Sequence, residues 1–150
     1  MAIHEYSILV QWAGSTGGGY RAYGREYQVH LGSDPLTSSA DPAFRGDAAL
    51  PNPEKLLLAA VSSCQMLSFL AVAARARLDV LAYQDEAAAV MPEASSEMRI
   101  TEVVLRPRIT IRGTDVAVVA KLVETAHRQC FIANSLNASV RVEHMVEAQG

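Results

Sequence analysis

One long apolar segment, Leu56 to Ala74, limits the possible folds of this chain more than any other feature of its sequence. In front of it stand Asn52, a favoured N-cap residue, Pro53, which suits the first helical position, and Glu54, which puts a negative charge in the first turn. These signals predict a helix that begins after Asn52 and runs to about Arg77. Because the segment is apolar nearly all round, we expect it to be the central core helix.

Composition limits the classes of partner. Half of the 150 residues are hydrophobic and 19% are charged, which is typical of a soluble globular domain. The formal net charge is −3 and no basic stripe is present, so nucleic acid is not an expected partner. Polar residues interrupt the apolar segment and no signal peptide is recognisable, so we expect neither a membrane span nor secretion. A cytoplasmic location, where cysteines stay reduced, is therefore expected.

Alternation of apolar residues and turn signals predict the remaining elements. The expected order is strand-strand-helix-strand-strand-helix-strand, with strands near 6–12, 20–31, 78–91, 98–112 and 138–145 and a second helix from Thr114 or Asp115 to about Gln129. Pro107 cannot donate to a ladder, so its strand should be an edge strand or carry a bulge. The segment GSTGGG is typical of a hairpin tip and residues 32–51 of an irregular loop. We therefore predict one α+β domain over residues 1–150.

The two cysteines, Cys64 and Cys130, are the residues whose chemistry stands out. Free cysteine often serves as a small buried hydrophobe, and that interpretation stays open for both. A reactive Cys64 would have to be a thiolate, but the start of its own helix, about 17 Å away, is too far to favour the charge. A neighbouring cation is needed instead. Arg45 in the long loop is the first candidate, and Arg21 and Arg25 on the second strand are the reserves.

Two motifs of the chain together resemble the OsmC/Ohr family, the osmotically inducible protein C and organic hydroperoxide resistance proteins. NPEKLLLAAVSSC, which begins at Asn52, resembles the family's N-P-E helix start with a cysteine ten residues after the glutamate. AHRQCFIAN, residues 126–134, resembles its second segment, A-H-x-x-C-x-x-(S/A)-(N/K). The order of the elements also fits, over nearly the whole chain. The resemblance implies an OsmC-like fold, with antiparallel sheets wrapped around a central buried helix pair in an intertwined homodimer.

The resemblance also implies an activity, because the family comprises thiol-dependent peroxidases that favour organic hydroperoxides. Cys64 would be the peroxidatic thiol and Cys130 the resolving one. Arg45 would activate Cys64, and Glu54 would hold that arginine. The reaction would pass through a Cys64 sulfenate and a Cys64–Cys130 disulfide, which an external dithiol, for example a lipoyl-type one, would reduce. No cofactor or metal is implied, and a role in the stress response is expected.

Helix geometry favours a dimeric site. Glu54 and Cys64 are about 15 Å apart along one straight helix, too far for that carboxylate to hold an arginine beside the thiol of the same chain. A two-fold dimer would bring Glu54 of one chain towards Cys64 of the other.

The apolar neighbours of the cysteines could line a pocket for an alkyl hydroperoxide; these are Met66, Leu67, Phe69, Phe131 and Ile132.

Other interpretations remain open at this point. His127, three residues before Cys130, could be an acid–base group, but a histidine at that place is also typical of a helix C-terminus. No histidine has metal-ligand spacing with the cysteines, so a Cys/His metal site is not expected. A Cys-His-Asp hydrolase is conceivable, but it would give the second cysteine no role. The main alternative is a non-catalytic member of the same fold that binds an apolar ligand.

Overall fold

A computed structural model describes residues 1–93 and 96–150. It divides into two units, residues 1–56 and 57–150, with the boundary in the first turn of the long helix. The first unit holds β1 (Leu9–Gln11), β2 (Tyr27–His30), β3 (Pro35–Ser38) and a short 3-10 helix (Pro42–Phe44). The second holds most of α1 (Pro53–Arg75), then β4 (Val80–Asp85), β5 (Ala88–Val90), β6 (Glu102–Leu105), β7 (Pro107–Arg112), α2 (Val116–Arg128), α3 (Phe131–Asn134), β8 (Ser139–Val142) and β9 (Met145–Gln149).

The N-terminal unit is built on an antiparallel sheet in the order β1-β2-β3. The sequence predicted no strand in residues 32–51, and that prediction is wrong for β3. The turn formers at residues 32–34 connect β2 to β3 instead of continuing as a loop, and Pro35 occupies the first position of β3, where a proline is tolerated. The glycine-rich segment does lie between β1 and β2, as a hairpin tip would, but β2 begins only at Tyr27.

The C-terminal unit contains two three-stranded sheets, β4-β7-β9 and β5-β6-β8. The strands expected at 78–91 and 98–112 are each split in two, and the strand expected at 138–145 stops at Val142, with β9 following as a separate strand from Met145. The two halves of each split strand, and likewise β8 and β9, lie in different sheets because the chain leaves the ladder at residues 86–87, at Arg106 and at residues 143–144. The backbone N–H of Arg106 donates to the Asp85 carboxylate at 2.7 Å and not to a strand. The β6–β8 and β7–β9 pairs are parallel, so the sheets are not wholly antiparallel.

Pro107 is the first residue of β7, which is the central strand of its sheet. The expectation of an edge strand is therefore wrong. The expected irregularity does occur in this pair of strands, but in β4, as a register shift between Val80 and Ala82. A proline at the start of a strand needs no edge position, because its missing N–H falls where the ladder begins.

The long helix α1 buries one stripe of its surface. The buried residues recur at helical spacing and are Val61, Gln65, Phe69, Val72 and Ala73. Leu67 on another face is 62% exposed. The expectation that the core surrounds α1 on all sides is thus wrong for the single chain. By length and composition α1 could also cross a membrane, but core helices of soluble proteins pass the same test.

Two hydrophobic clusters hold the C-terminal unit together. In the larger one, Phe69 of α1 packs with Ile109 of β7 and Val119 of α2. In the smaller one, Val61 of α1 packs with Val103 and Leu105 of β6. Cys64 lies on α1 between the positions of Val61 and Phe69, so both clusters fix the helix on either side of the thiol.

Candidate active site

The structure brings the two cysteines into contact. Cys64 lies half-buried on α1, whereas Cys130 lies between α2 and α3 and is completely buried. Both are free, and the Cys64 side chain is close enough to the Cys130 sulfur to raise the pKa of the Cys130 thiol. The backbone holds Cys130 at both ends, because its N–H donates to the carbonyl of His127 at 3.2 Å and its carbonyl accepts from the N–H of Asn134 at 3.0 Å. The corner between α2 and α3 therefore fixes the position of Cys130 relative to Cys64.

The local environment opposes ionisation of Cys130. Burial is the largest cause and, with the contact to Cys64, it raises the pKa of the Cys130 thiol to about 11. The backbone groups of Ala133 and Ile132 hydrogen-bond to the sulfur and act in the opposite direction, but they are outweighed. At pH 7 only about one Cys130 in ten thousand is therefore a thiolate.

The polar residues next to Cys64 attach α1 to its neighbours. Ser62 donates from its hydroxyl to the Asp85 carboxylate of β4 at 2.5 Å, and Gln65 donates from Nε2 to the carbonyl of Val123 on α2 at 3.3 Å. Ser63 donates to a carbonyl of its own helix. The polar stretch SSCQ therefore fixes the position of the helix around Cys64.

Cys64 opens into an apolar cleft of about 620 Å³ along α1. The lining residues are Ala60, Ser63, Cys64, Leu67, Ser68, Ala71, Arg75, Gln129, Phe131 and Asn134. Leu67 and Phe131 thus line it, as the sequence suggested. Phe69 and Ile132 instead belong to the hydrophobic clusters. The volume is within the range of small-molecule sites.

The three candidate activating arginines differ in the interactions that their side chains make within the N-terminal unit. The guanidinium of Arg25 donates to the carbonyls of Tyr20 and Tyr23 and lies 3.6 Å from the centre of the Tyr23 ring. Arg45 is exposed and adopts a left-handed backbone, φ 69°, at the end of the 3-10 helix. Among the described residues, neither Arg45 nor Arg21 has a hydrogen-bond or ion-pair partner for its side chain. Arg25 is therefore the one that already has a structural role.

Glu54 has an unusual environment. Its Oε2 atom is buried and has no hydrogen-bond partner. No ion pair joins it to Arg45 in the described part of this chain. A buried carboxylate oxygen without a partner costs free energy, so a donor from outside the single chain would stabilise it. The predicted roles of Glu54 and Arg45 remain predictions.

Sequence reasoning missed Tyr83 and Arg75. Tyr83 on β4 packs its ring against Phe69, with 5.8 Å between the ring centres, and its hydroxyl is buried without a partner. Burial, followed by the charges of Asp85 and Cys130, raises the pKa of Tyr83. The alternation of side chains along β4 could have predicted that Tyr83 faces the core, but no local sequence signal indicates that it lies near Cys130. Arg75 looks in the sequence like an ordinary basic residue at a helix end.

His127 lies away from the cleft that Cys64 lines. It contributes to a second cavity of about 320 Å³ with His144, Glu124 and Arg141, and its Nδ1 atom is buried without a partner. Within residues 1–93 and 96–150, no three His, Cys, Asp or Glu side chains come close enough together to hold a metal ion. The structure therefore gives His127 no contact with the cleft.

Comparison with known proteins gives consistent results. A model of the family described as OsmC-like protein matches residues 46–145. An OsmC-like protein of unknown function from Vibrio cholerae is 32% identical over 95% of this chain and 100% of its own, with a TM-score of 0.86. No curated protein matches the sequence.

Two further solved structures are more distant. An organic hydroperoxide resistance protein OsmC from Legionella pneumophila is 16% identical over 97% of this chain and 99% of its own, with a TM-score of 0.67. An organic hydroperoxide resistance protein from Elizabethkingia anophelis is 19% identical over 97% and 99%, with a TM-score of 0.68. At these identities the likeness is one of fold.

Proposed function

The chain belongs to the OsmC-like protein family and has its α+β fold, and on this basis we propose that it is a thiol-dependent peroxidase that reduces organic hydroperoxides. The observation that carries the proposal is the neighbouring pair of free thiols, of which one lines an apolar cleft and the other is buried. Two cysteines that serve only as small hydrophobes need no such contact.

In the first step the Cys64 thiolate attacks the distal oxygen of the hydroperoxide. The sulfur–oxygen bond forms as the oxygen–oxygen bond breaks, and the alkoxide leaves as an alcohol after it takes up a proton. Cys64 becomes a sulfenic acid and the peroxide is reduced. The sulfur side chain already faces the cleft, so the substrate reaches it without passing through the core.

In the second step Cys130 attacks the sulfenic sulfur of Cys64. A disulfide forms, and the hydroxyl group leaves with a proton as water. Because the two side chains are in contact, this step needs only a small movement. An external dithiol then reduces the disulfide by exchange, and a lipoyl-type dithiol is the kind of reductant we propose.

A positive charge is required beside Cys64 for the first step, and Arg45 is our first candidate. An arginine at this position would favour the thiolate and stabilise the charge that develops on the peroxide oxygens. The partnerless Oε2 of Glu54 supports a role in holding that arginine, and the free side chain of Arg45 makes it available. Arg21 is the remaining alternative, since Arg25 is already engaged.

We further propose that two copies of the chain form a homodimer with composite sites. The exposed apolar side chains of α1, among them Leu67 and Leu70, form a surface that is costly to leave in water. A second α1 packed there would cover it and bring the partner's first helical turn towards Cys64.

A cytoplasmic location, where reducing dithiols are available, suits this chemistry.

Mass spectrometry of the reduced protein tests the proposed function. One equivalent of cumene hydroperoxide should remove two hydrogens from the wild-type chain, with Cys64 and Cys130 recovered as one disulfide-linked peptide pair. Cumyl alcohol should appear in equal amount. Cys64→Ser should abolish both changes, and hydrogen peroxide should react more slowly because the cleft is apolar.

The apolar cleft also supports a second candidate, a non-catalytic protein that binds an apolar ligand. The same measurement separates the two. An unchanged mass and unchanged cumene hydroperoxide, in protein whose thiols are titrated as reduced, would contradict the peroxidase and favour the binding protein.

A further inference from the structure

The hydroxyl of Tyr83 is a polar group in an apolar part of the C-terminal unit. The Tyr83 ring packs against the larger hydrophobic cluster, in which Phe69 of α1 and Ala126 of α2 are fully buried. The ring centres of Tyr83 and Phe69 are 5.8 Å apart. The hydroxyl is buried and has no hydrogen-bond partner among the described residues. A buried hydroxyl without a partner costs free energy, so packing alone would favour phenylalanine at this position.

The same cluster borders both segments that carry the cysteines. Phe69 lies five residues after Cys64, and Ala126 lies four residues before Cys130. The charge of a Cys130 thiolate raises the pKa of Tyr83, so the phenol lies within electrostatic reach of that sulfur. Tyr83 contacts the buried stripe of α1 and not the exposed face on which a second copy is proposed to pack. The homodimer therefore leaves this arrangement in place.

The resolution step places negative charge on a sulfur whose surroundings oppose it. Burial is the largest cause that raises the pKa of the Cys130 thiol to about 11, and the backbone groups of Ala133 and Ile132 offset it only in part. As Cys130 attacks the sulfenic sulfur of Cys64, charge develops on its own sulfur, and a hydrogen-bond donor would stabilise that charge. A neutral thiol is a weak acceptor and an ionised sulfur a stronger one. A donor without a partner in the reduced protein can therefore act at this step.

We propose that Tyr83 is a catalytic residue of the resolution step, whose hydroxyl donates a hydrogen bond to the Cys130 sulfur while the disulfide forms. This inference rests on the proposed peroxidase function. The sulfur–sulfur bond forms as the sulfur–oxygen bond of the sulfenic acid breaks, and the thiol proton of Cys130 leaves with the hydroxyl group as water. Burial raises the pKa of Tyr83 above its ordinary value, so the phenol keeps its proton and acts as a donor, not as a base.

Disulfide exchange of the reduced native assembly with 2,2′-dithiodipyridine tests this role without a peroxide. The more open thiol of Cys64 should react first and release one equivalent of thiopyridone, and attack of Cys130 on the mixed disulfide should release the second. Tyr83→Phe keeps the ring and removes only the hydroxyl. It should leave the rate of the first release unchanged and slow the second roughly tenfold or more, because a hydrogen bond to a charged sulfur is lost.

A hydroperoxide should show the same division between the two steps. With one equivalent of cumene hydroperoxide, Tyr83→Phe should release cumyl alcohol at the wild-type rate. Its disulfide should form roughly tenfold more slowly, so dimedone should trap more of the Cys64 sulfenic acid than in wild type. Urea denaturation should show a variant at least as stable as wild type, because the hydroxyl has no hydrogen bond to lose. A purely structural role of Tyr83 would not slow resolution without lowering stability.

Two controls isolate the hydroxyl. In Cys130→Ser there is no resolving thiolate for Tyr83 to stabilise, so the added Tyr83→Phe substitution should change neither alcohol release nor further oxidation of Cys64. Tyr27→Phe removes the hydroxyl of another half-buried strand tyrosine, in the N-terminal unit, and should leave both releases of thiopyridone unchanged.

Equal rates of the second release in wild type and Tyr83→Phe would overturn the role of Tyr83, while release of cumyl alcohol would still support the peroxidase. Release of only one equivalent by wild type, or a Tyr83→Phe variant that is less stable and slower in both releases, would also contradict it. If hydroperoxide is not consumed, the proposed function fails instead, and the two releases of thiopyridone still decide whether the Tyr83 hydroxyl assists Cys130.

Discussion

The thiol of Cys130, fully buried at the corner between α2 and α3, neighbours the thiol of Cys64, which faces a cleft on α1. The two cysteines are 66 positions apart in the sequence, and their thiols differ in access to solvent. Such an asymmetric pair can divide a reaction into an oxidation at the open sulfur and a resolution by the closed one. The predictions below test this division and the groups that support it.

The stability of the reduced protein should fall as the pH rises from about 9 to about 11. In the unfolded chain the Cys130 thiol ionises near its ordinary value, whereas burial in the folded chain raises its pKa to about 11. Between these values the folded state binds more protons, so its advantage is complete below pH 9 and is lost as the pH passes 11. The loss should be on the order of 2 kcal/mol.

Urea denaturation at several pH values measures this loss. The Cys130→Ala variant will be less stable at every pH because it leaves a cavity, so the slope with pH is the quantity to compare. The variant should have a shallower decline than wild type between pH 9 and 11. Parallel curves for the two proteins would contradict the assignment to Cys130.

Removal of the resolving thiol should trap the oxidised form of Cys64. In Cys130→Ser, one equivalent of cumene hydroperoxide should add one oxygen to the chain and release one equivalent of alcohol. Excess peroxide should then add further oxygens, because no neighbouring thiol consumes the sulfenic acid. Dimedone labelling and mass spectrometry give the readout, with wild type as the control that forms a disulfide. Multiple turnovers by Cys130→Ser without added thiol would contradict the resolving role.

The sequence was sufficient to predict α1, because its N-cap, its proline and its apolar run are local signals. It was also sufficient for most element types, although not for β3 or α3, and the family motifs singled out both cysteines. It could not predict that the strand expected at residues 98–112 is divided between two sheets, since at the break the N–H of Arg106 donates to Asp85, 21 residues away. Nor could it place Arg75 in the cleft with Cys64, because a basic residue at a helix end has a sufficient local explanation.

Substitution of each of the three candidate arginines should distinguish the arginine that activates Cys64 from the one that stabilises the fold. Arg45→Gln should lower kcat/KM for cumene hydroperoxide by roughly a hundredfold, the loss that removal of one charged stabilising group commonly produces. Arg21→Gln should have little effect. Arg25→Gln should reduce stability instead, since it removes the donor to the Tyr20 and Tyr23 carbonyls and the cation over their rings.

Single-turnover peroxide consumption and urea denaturation, performed on all three variants, distinguish these effects. Glu54→Gln should lower the rate in the same direction as Arg45→Gln, and the double variant should lose less than the two single losses combined because the residues act together. A hundredfold loss for Arg21→Gln with full activity in Arg45→Gln would transfer the activating role to Arg21.

The backbone beside Arg45 offers an independent test. Gly46 follows the 3-10 helix, and its N–H donates to the carbonyl of Asp41 at 3.0 Å. A methyl group on Gly46 would lie only 1.7 Å from the carbonyl oxygen of Ala40, so Gly46→Ala must displace the turn that presents Arg45. Gly32 provides a matched control, since a methyl group there meets no atom within 4 Å. Gly46→Ala should therefore lower both stability and peroxide consumption, with a stability loss of roughly 2 kcal/mol or more, whereas Gly32→Ala should leave both within experimental error. Retention of full activity by a folded Gly46→Ala protein would show that the position of Arg45 does not matter for the reaction.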